Sequence, residues 1–208
     1  SFTYHGFRYV EMSGLKVVRA EDFTAYIVGD DMRMTGTLST SDTTLNKVLK
    51  NAFWGIKSNY KGMPVDCPQR NERQPWLGDR TVGCWGESYL FENERLYAKW
   101  MHDMCDGQRS DGANVTWPAV FPFACEMLYE QYGNVKPIAD SYPYIKKWFC
   151  HILDEYEKDG IITKDTYGDW CLPPEKLELI HSQDPSRQTD GSLISTAYGI
   201  KITDQLAR

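Results

Sequence analysis

Several features common in binding proteins are missing from this 208-residue sequence. Its lysines and arginines do not cluster and its formal net charge is -6, so the basic surface that nucleic-acid phosphates require is not predicted. No stretch approaches the roughly 18 consecutive apolar residues that a transmembrane helix needs. We therefore expect no nucleic-acid partner and no membrane span.

Patterns typical of metal sites and disulfides are also missing. The six cysteines are widely spaced without a Cys-x-x-Cys pair, and the four histidines lack the spacing of zinc ligands. We interpret the cysteines mostly as buried thiols and predict no metal ion and no cofactor. These residues are Cys67, Cys84, Cys105, Cys125, Cys150 and Cys171, and His5, His102, His151 and His181.

Aromatic residues, in contrast, are abundant. The chain contains 7 Trp and 13 Tyr although its mean hydropathy is only -0.53. Aromatic faces can stack on the apolar faces of sugars, although most aromatic residues fill protein cores. The 41% hydrophobic and 25% charged residues are close to the averages of globular domains, which argues against disorder. The length suits one buried domain or part of a larger one.

The apolar pattern changes its period at Gly36. Before this point, residues 2–28 are rich in aromatic and β-branched residues and predict strands. One such patch cannot form an independent sheet, so we interpret residues 1–36 as the end of a β domain. Ser1 to His5 resemble the interior of a domain, and no signal peptide is visible.

After Gly36 the apolar residues recur at helical spacing, and we assign residues 37–208 to the first part of a helical domain. The first predicted helix spans about 42–59, with Ser41 or Asp42 as its N-cap. An irregular loop over 61–78 follows. The remaining predicted helices span about 80–105, 125–132, 137–158 and 192–208, with stops at Gly107, Gly133 and Gly160.

The loop carries an unusual density of functional side chains. Three carboxylates, two arginines and a tryptophan fall within residues 66–79, and Pro68 and Pro75 stiffen the backbone. Neighbouring carboxylates can keep one member protonated while another is ionised, which suits acid-catalysed cleavage of a glycosidic bond. The alternative is a structural salt-bridge network at a helix start, formed by Asp66, Arg70, Glu72 and Arg73.

The same loop resembles the signature of a known family. Asp66-Cys67-Pro68-Gln69-Arg70, then Glu72-Arg73, Trp76 and Gly78-Asp79, is similar to the motif of family 78 glycoside hydrolases, the bacterial α-L-rhamnosidases. Phe2 to Tyr9 and Thr189 to Tyr198 resemble two further segments of that family, in the same order. The resemblance implies a mainly α fold: part of an (α/α)6 barrel, or six-hairpin toroid, preceded by short β-strands of a β-sandwich-type domain.

The resemblance also implies roles for individual residues. Glu72 is expected to be the general acid of an inverting mechanism. Asp66, Arg70 and Asp79 are expected to bind rhamnose hydroxyls, which need directed polar partners. Trp76 is expected to pack on the apolar face of the sugar.

A second aromatic wall is suggested at Trp170, within Gly168-Asp169-Trp170. A core tryptophan after a turn is the alternative interpretation. Three departures from the family pattern accompany the match. Asn71 stands where the family often has Asp, and Gln74-Pro75 replaces Leu-Gly. Phe123 runs directly into Ala124 where a further loop of the binding site is expected, so this loop is predicted to be deleted or missing.

No residue of the chain matches the general base of the family, a Glu in the second half of the barrel. We expect the base outside this chain, on the remainder of the same polypeptide or on a second chain that completes the barrel. The expected substrate is a rhamnose-containing glycoside or polysaccharide of a bacterial enzyme, with the compartment left open. A six-hairpin glycosidase for another sugar and a non-catalytic carbohydrate-binding relative are the alternatives.

Overall fold

The computed structural model describes residues 4–106, 113–170, 172–179 and 184–208. The predicted stop at Gly107 lies outside the described residues, as do Cys171, His181 and the first residues of the N-terminal match, Phe2 and Thr3. Within the described ranges the chain forms six α-helices and one two-stranded hairpin. None of these helices combines the length and apolarity needed to cross a bilayer.

The helices are α1 (Thr43–Asn59), α2 (Leu77–Ser88), α3 (Glu94–Asp106), α4 (Val120–Tyr132), α5 (Lys136–Tyr156) and α6 (Gly191–Ala207). The hairpin consists of β1 (Glu157–Lys158) and β2 (Ile161–Ile162), which pair antiparallel directly after α5. Asp159 and Gly160 form its turn at φ 54° and 81°, because a tight hairpin needs positive φ at both central residues. Apart from this hairpin, the prediction of helical structure after Asp42 is confirmed.

Local sequence signals set several helix ends. The Asp42 side chain accepts hydrogen bonds from the backbone N–H groups of Thr44 and Leu45 at 2.7 and 3.1 Å, which confirms the predicted N-cap. Gly133 ends α4 at φ 68°, as predicted for a left-handed cap. Asp190 caps α6, which begins within one residue of the predicted start. Each of these signals acts within a few residues of its helix end.

The single helix predicted over 80–105 is wrong. The structure contains two helices here, because residues 89–93 leave the helix to pair with the chain preceding α1. The backbone N–H of Thr35 donates to the carbonyl of Leu90 at 3.1 Å, and Met34 forms an isolated antiparallel bridge with Phe91. Phe91 is buried there, and its burial stabilises the break by about 1.5–3 kcal/mol.

The strands predicted over residues 2–28 are also wrong for the described part of that segment. From residue 4 to residue 36 the chain contains a single 3-10 turn at Ala20–Asp22 and the bridge at Met34, without a strand. An extended segment becomes a strand only when another strand satisfies its backbone groups, and the described residues supply none. Its apolar side chains are exposed, with Tyr9 at 89% and Ile27 at 91%.

Between Phe123 and Ala124, where the family pattern predicts a further loop, this chain has none. The two are consecutive residues of the continuous helix α4, and Ala124 is fully buried. Helix α4 begins earlier than predicted and lies at the centre of the helical packing, in contact with α2, α3, α5 and α6. Its buried face joins a core cluster that includes Tyr97, Trp100 and Leu128. The N-terminal end of α2, which follows the charged loop, is thereby held on a packed helical base.

Candidate active site

The charged loop is closed at its base by Asp66. Its carboxylate accepts a hydrogen bond from the backbone N–H of Gln74 at 2.8 Å, and its own N–H donates to the Gln74 carbonyl at 2.9 Å. Both contacts use the backbone of Gln74, so the departure from the family pattern at this position leaves the closure intact. The residues between 66 and 74 are therefore held in one compact turn.

This turn brings Glu72 beside two of its predicted partners. The indole Nε1 of Trp76 donates to Glu72 Oε2 at 3.2 Å, and the Arg70 guanidinium lies 3.9 Å from the same oxygen. Arg70 also lies 3.4 Å from Asp66. The side chain of Asp66 is only 5% exposed, whereas those of Glu72 and Arg70 are 48% and 60% exposed. The loop thus exposes the Glu72 carboxyl group and the Arg70 guanidinium to solvent, above the buried carboxylate of Asp66.

The salt-bridge alternative describes part of this arrangement. Arg70 bridges Asp66 and Glu72, but Arg73 makes no ion pair among the described residues. Its guanidinium lies 3.4 Å from His5 Nδ1 and 5.8 Å from the ring of Tyr4. Exposed ion pairs contribute at most about 1 kcal/mol, so a purely structural role does not explain this density of charge.

The carboxylates of the site differ in their ionisation. Burial raises the pKa of Asp66, but hydrogen bonds to its carboxylate, including the one from the Gln74 backbone N–H, outweigh this effect and lower the pKa below 3.8. Partial burial raises the pKa of Asp79 above 3.8, and the Asp66 charge adds to this rise against the opposing charge of Arg80. The environment therefore favours ionised Asp66.

One group of side chains could in principle bind a metal ion. The ligand atoms of Asp66, Cys67 and Glu72 lie within 4.8 Å of one another. Arg70 already faces both carboxylates and neutralises charge there, and Cys67 is buried. We assign this group no metal-binding role.

A buried polar network anchors the loop from below. Arg80 forms an ion pair with Glu87 inside α2 and donates to the carbonyl of Val65 at 3.2 Å. The hydroxyls of Tyr60 and Tyr97 donate to Glu87 at 2.5 and 2.7 Å. Burial raises the pKa of both tyrosines, so they remain neutral donors. Sequence reasoning missed this network, although the opposite charges of Arg80 and Glu87, seven residues apart and so on one face of α2, were a signal for it.

The aromatic side of the site is built from three separate segments. Trp117 lies between Trp76, at 6.1 Å edge-on, and Tyr167, at 4.0 Å stacked. Trp170 stands edge-on to Trp117 at 6.2 Å and to Tyr167 at 5.2 Å. The sequence singled out Trp76 and Trp170 and missed the two rings between them. Within the described residues Trp170 is 52% exposed and does not belong to the core.

The charged loop and the aromatic side meet at the start of α2. A Cβ atom on Gly78 would lie 2.7 Å from the indole of Trp117, so only glycine fits without movement of the ring. Asp79 follows in the first turn of α2, where the helix dipole favours negative charge. Five of the six residues predicted for the site lie along one surface, with Glu72, Asp79 and Arg70 on one side and the two tryptophans on the other, and the buried Asp66 lies beneath the loop.

A helical-hairpin domain with a carboxylate loop beside an aromatic surface is typical of glycosidase catalytic domains. Residues 33–208 match the family model described as the bacterial alpha-L-rhamnosidase 6 hairpin glycosidase domain. The chain belongs to this family. The fold class predicted from the sequence, a mainly helical part of a six-hairpin toroid, is confirmed by this match and by the structural comparisons below.

Curated relatives named alpha-L-rhamnosidase come from Streptomyces avermitilis, 32% identical over the whole chain, and Alteromonas sp., 30% identical over 95% of the chain. The chain spans 20% and 23% of their respective lengths. The solved alpha-L-rhamnosidase named for Dictyoglumus thermophilum superposes with a TM-score of 0.79 at 27% identity, over 92% of this chain and 22% of that one. The S. avermitilis enzyme, complexed with L-rhamnose, gives 0.75 at 27% identity, over 86% and 18%.

Proposed function

We propose that this chain forms the first part of the catalytic domain of an inverting α-L-rhamnosidase and that Glu72 is its general acid. The carrying observation is the setting of Glu72, an exposed carboxyl that accepts a hydrogen bond from Trp76 and lies beside Arg70 and Asp66. Because the Glu72 side chain is 48% exposed, its carboxyl group is accessible to the oxygen of a leaving group, which a general acid must protonate.

Substrate binding divides between the two sides of the site. Arg70 and Asp79 offer charged partners to the sugar hydroxyls, and Asp66 contributes from the floor of the loop. Trp76 and Trp170 present exposed aromatic faces to the apolar side of the ring. The substrate is a rhamnose-containing glycoside or polysaccharide, by analogy with the relatives named alpha-L-rhamnosidase and with the S. avermitilis structure that contains L-rhamnose.

The general base is proposed to lie outside this chain. An inverting pair of carboxyl groups stands roughly 6.5–9.5 Å apart, leaving room for a water molecule. Carboxylate oxygens of Asp66 and Glu72 lie within 4.8 Å, and Asp66 is nearly buried with both oxygens already hydrogen-bonded. Asp169 accepts two hydrogen bonds from Thr189. Asp66 is therefore too close to Glu72 to be the base, and one oxygen of Asp169 is already engaged by Thr189, so we assign the base to the rest of the polypeptide or to a second chain.

The domain division proposed from the sequence is 1–36 for the end of a β domain and 37–208 for the helical domain. The exposed apolar side chains of the first segment, such as Tyr26 at 82%, support its packing against another unit. We also propose that the 61–78 loop lies at the concave mouth of the completed toroid.

The test is hydrolysis of an aryl α-L-rhamnoside by the complete polypeptide and by residues 1–208 alone, with a panel of other aryl glycosides beside it. We expect rhamnoside hydrolysis by the complete polypeptide and no useful rate from residues 1–208. Preference for another sugar would overturn the substrate assignment. Absence of any glycosidase activity in the complete polypeptide would favour a carbohydrate-binding relative. Equal rates from the two proteins would place the base within this chain.

A further inference from the structure

Asp165 joins the two loops that carry the aromatic side of the site. Its Oδ2 accepts hydrogen bonds from the backbone N–H groups of Val115 and Thr116 at 2.8 and 3.0 Å. Its Oδ1 accepts from the Thr116 hydroxyl at 3.1 Å and from the N–H groups of Tyr167 and Gly168 at 3.0 and 2.8 Å. One carboxylate therefore gathers donors from chain segments about 50 residues apart.

The donors are adjacent to the rings. Trp117 directly follows one donor, and Tyr167 is itself a donor, while the two rings stack at 4.0 Å with an interplanar angle of 15°. Trp170 leans edge-on against both. Moving either loop relative to the other would separate this stack, so the shared acceptor sets the geometry of the aromatic side.

A second link between the loops is weaker. The N–H and hydroxyl of Thr166 both donate to the carbonyl of Ala113 at 2.6 and 2.8 Å. These are neutral hydrogen bonds, whereas those to Asp165 are charge-assisted and roughly twice as strong. The carboxylate of Asp165 therefore contributes more than the Thr166 contacts to holding the two loops together.

The same contacts exclude Asp165 from proton transfer. Two carboxylate oxygens offer about four lone-pair positions, and the five donors to Asp165 already fill them. No acceptor position remains for a water molecule that the residue would activate. Asp165 can hold the rings without acting as a base.

We propose that Asp165 is the positioning residue of the aromatic side, fixing Trp117 and Tyr167 and thereby the affinity for the sugar, without a part in the chemical step. This inference rests on the proposed glycosidase function. It assigns a role to a residue whose carboxylate is occupied by five protein donors.

The test is Asp165→Asn in the complete polypeptide, assayed with an aryl α-L-rhamnoside. The amide nitrogen of Asn cannot accept from the N–H groups that face it, so the loops should separate. We expect KM to rise about tenfold with kcat changed less than about threefold, the pattern of lost uniform binding. The pH profile should stay unchanged, and the near-ultraviolet circular dichroism of the stacked rings should weaken while the far-ultraviolet helical signal is kept.

Two variants control the experiment. Asp42→Asn alters an aspartate that also accepts two backbone N–H bonds but lies at the start of α1, and it should leave KM unchanged. Thr116→Val removes one of the five bonds and should raise KM by about twofold. It carries the test if Asp165→Asn fails to fold.

Unchanged KM and ring signal in Asp165→Asn, or in Thr116→Val if only that variant folds, would overturn the proposal. A fall in kcat with a shifted pH profile would also overturn it, since that pattern indicates a role in proton transfer. Failure of the proposed function is distinguishable, because the unsubstituted polypeptide would then not hydrolyse rhamnosides. The circular dichroism comparison would still test whether Asp165 holds the rings.

Discussion

The two sides of the site are stabilised by different means. The carboxylate side is one short loop, closed by Asp66 and anchored by the buried ion pair of Arg80 and Glu87. The aromatic side has no continuous segment, since its rings come from residues 76, 117 and 167–170. The proposed acid is therefore positioned by contacts near it in sequence, whereas the proposed sugar-stacking surface depends on how distant loops meet.

The largest effect is expected when the proposed general acid on the carboxylate side is replaced. Glu72→Gln in the complete polypeptide should lower turnover of rhamnosides with poor leaving groups by about 10²–10⁴-fold, because an amide cannot donate the required proton. Activated aryl rhamnosides should be spared, since their leaving groups need less protonation. The measurement is kcat for both substrates, with the exposed Glu155→Gln as control. Equal losses on both substrates would argue against Glu72 as the acid.

The second largest effect is expected for the buried ion pair of Arg80 and Glu87 below the loop. Glu87→Gln leaves the buried Arg80 charge uncompensated and should lower the free energy of unfolding by about 3–5 kcal/mol. Urea denaturation measures this change. Glu92→Gln is the matched control, because Glu92 pairs with Arg33 at the surface and should cost at most about 1 kcal/mol. Similar costs for the two variants would show that the buried pair does not anchor the loop.

The contact between the two sides can be broken at one position. Gly78→Ala places a methyl group against Trp117 and should destabilise the protein by about 1–3 kcal/mol while raising KM. Gly86→Ala in the same helix meets no atom within 4 Å and should stabilise it by up to about 1 kcal/mol. Urea denaturation and steady-state kinetics of both variants measure these effects. A Gly78→Ala variant that behaves like Gly86→Ala would contradict close packing of Gly78 on the indole.

The smallest effect concerns the stability of the protein at acidic pH, and it involves only the carboxylate side. The pKa of Asp66 is lowered in the folded state, so its contribution to stability is present above the unfolded value and is lost as the pH falls through the folded one. Asp66→Asn removes this contribution, and stability should then decline less steeply as the pH falls below about 4. Denaturation midpoints between pH 5 and pH 3 measure the slope. An unchanged slope would show that Asp66 is not stabilised as a carboxylate.

Most helical ends were readable from the sequence because their signals are local. Asp42 caps α1, and Gly133 ends α4 through contacts within a few residues. The charged loop was also readable, since its motif is continuous. The break between α2 and α3 was not, because it arises from pairing of Met34 with Phe91. The strands expected near the N-terminus failed for the opposite reason, since an extended segment needs a partner that the described residues do not provide.

The sequence by itself determined the family, the helical class and the position of the charged loop, because motif, capping and periodicity are properties of short segments. Only the tertiary structure decided that Trp117 and Tyr167 complete the aromatic surface and that Asp165 joins their loops. The same holds for the buried network around Glu87. Each of these contacts joins residues far apart in the chain, and their meeting depends on how the helices pack around α4.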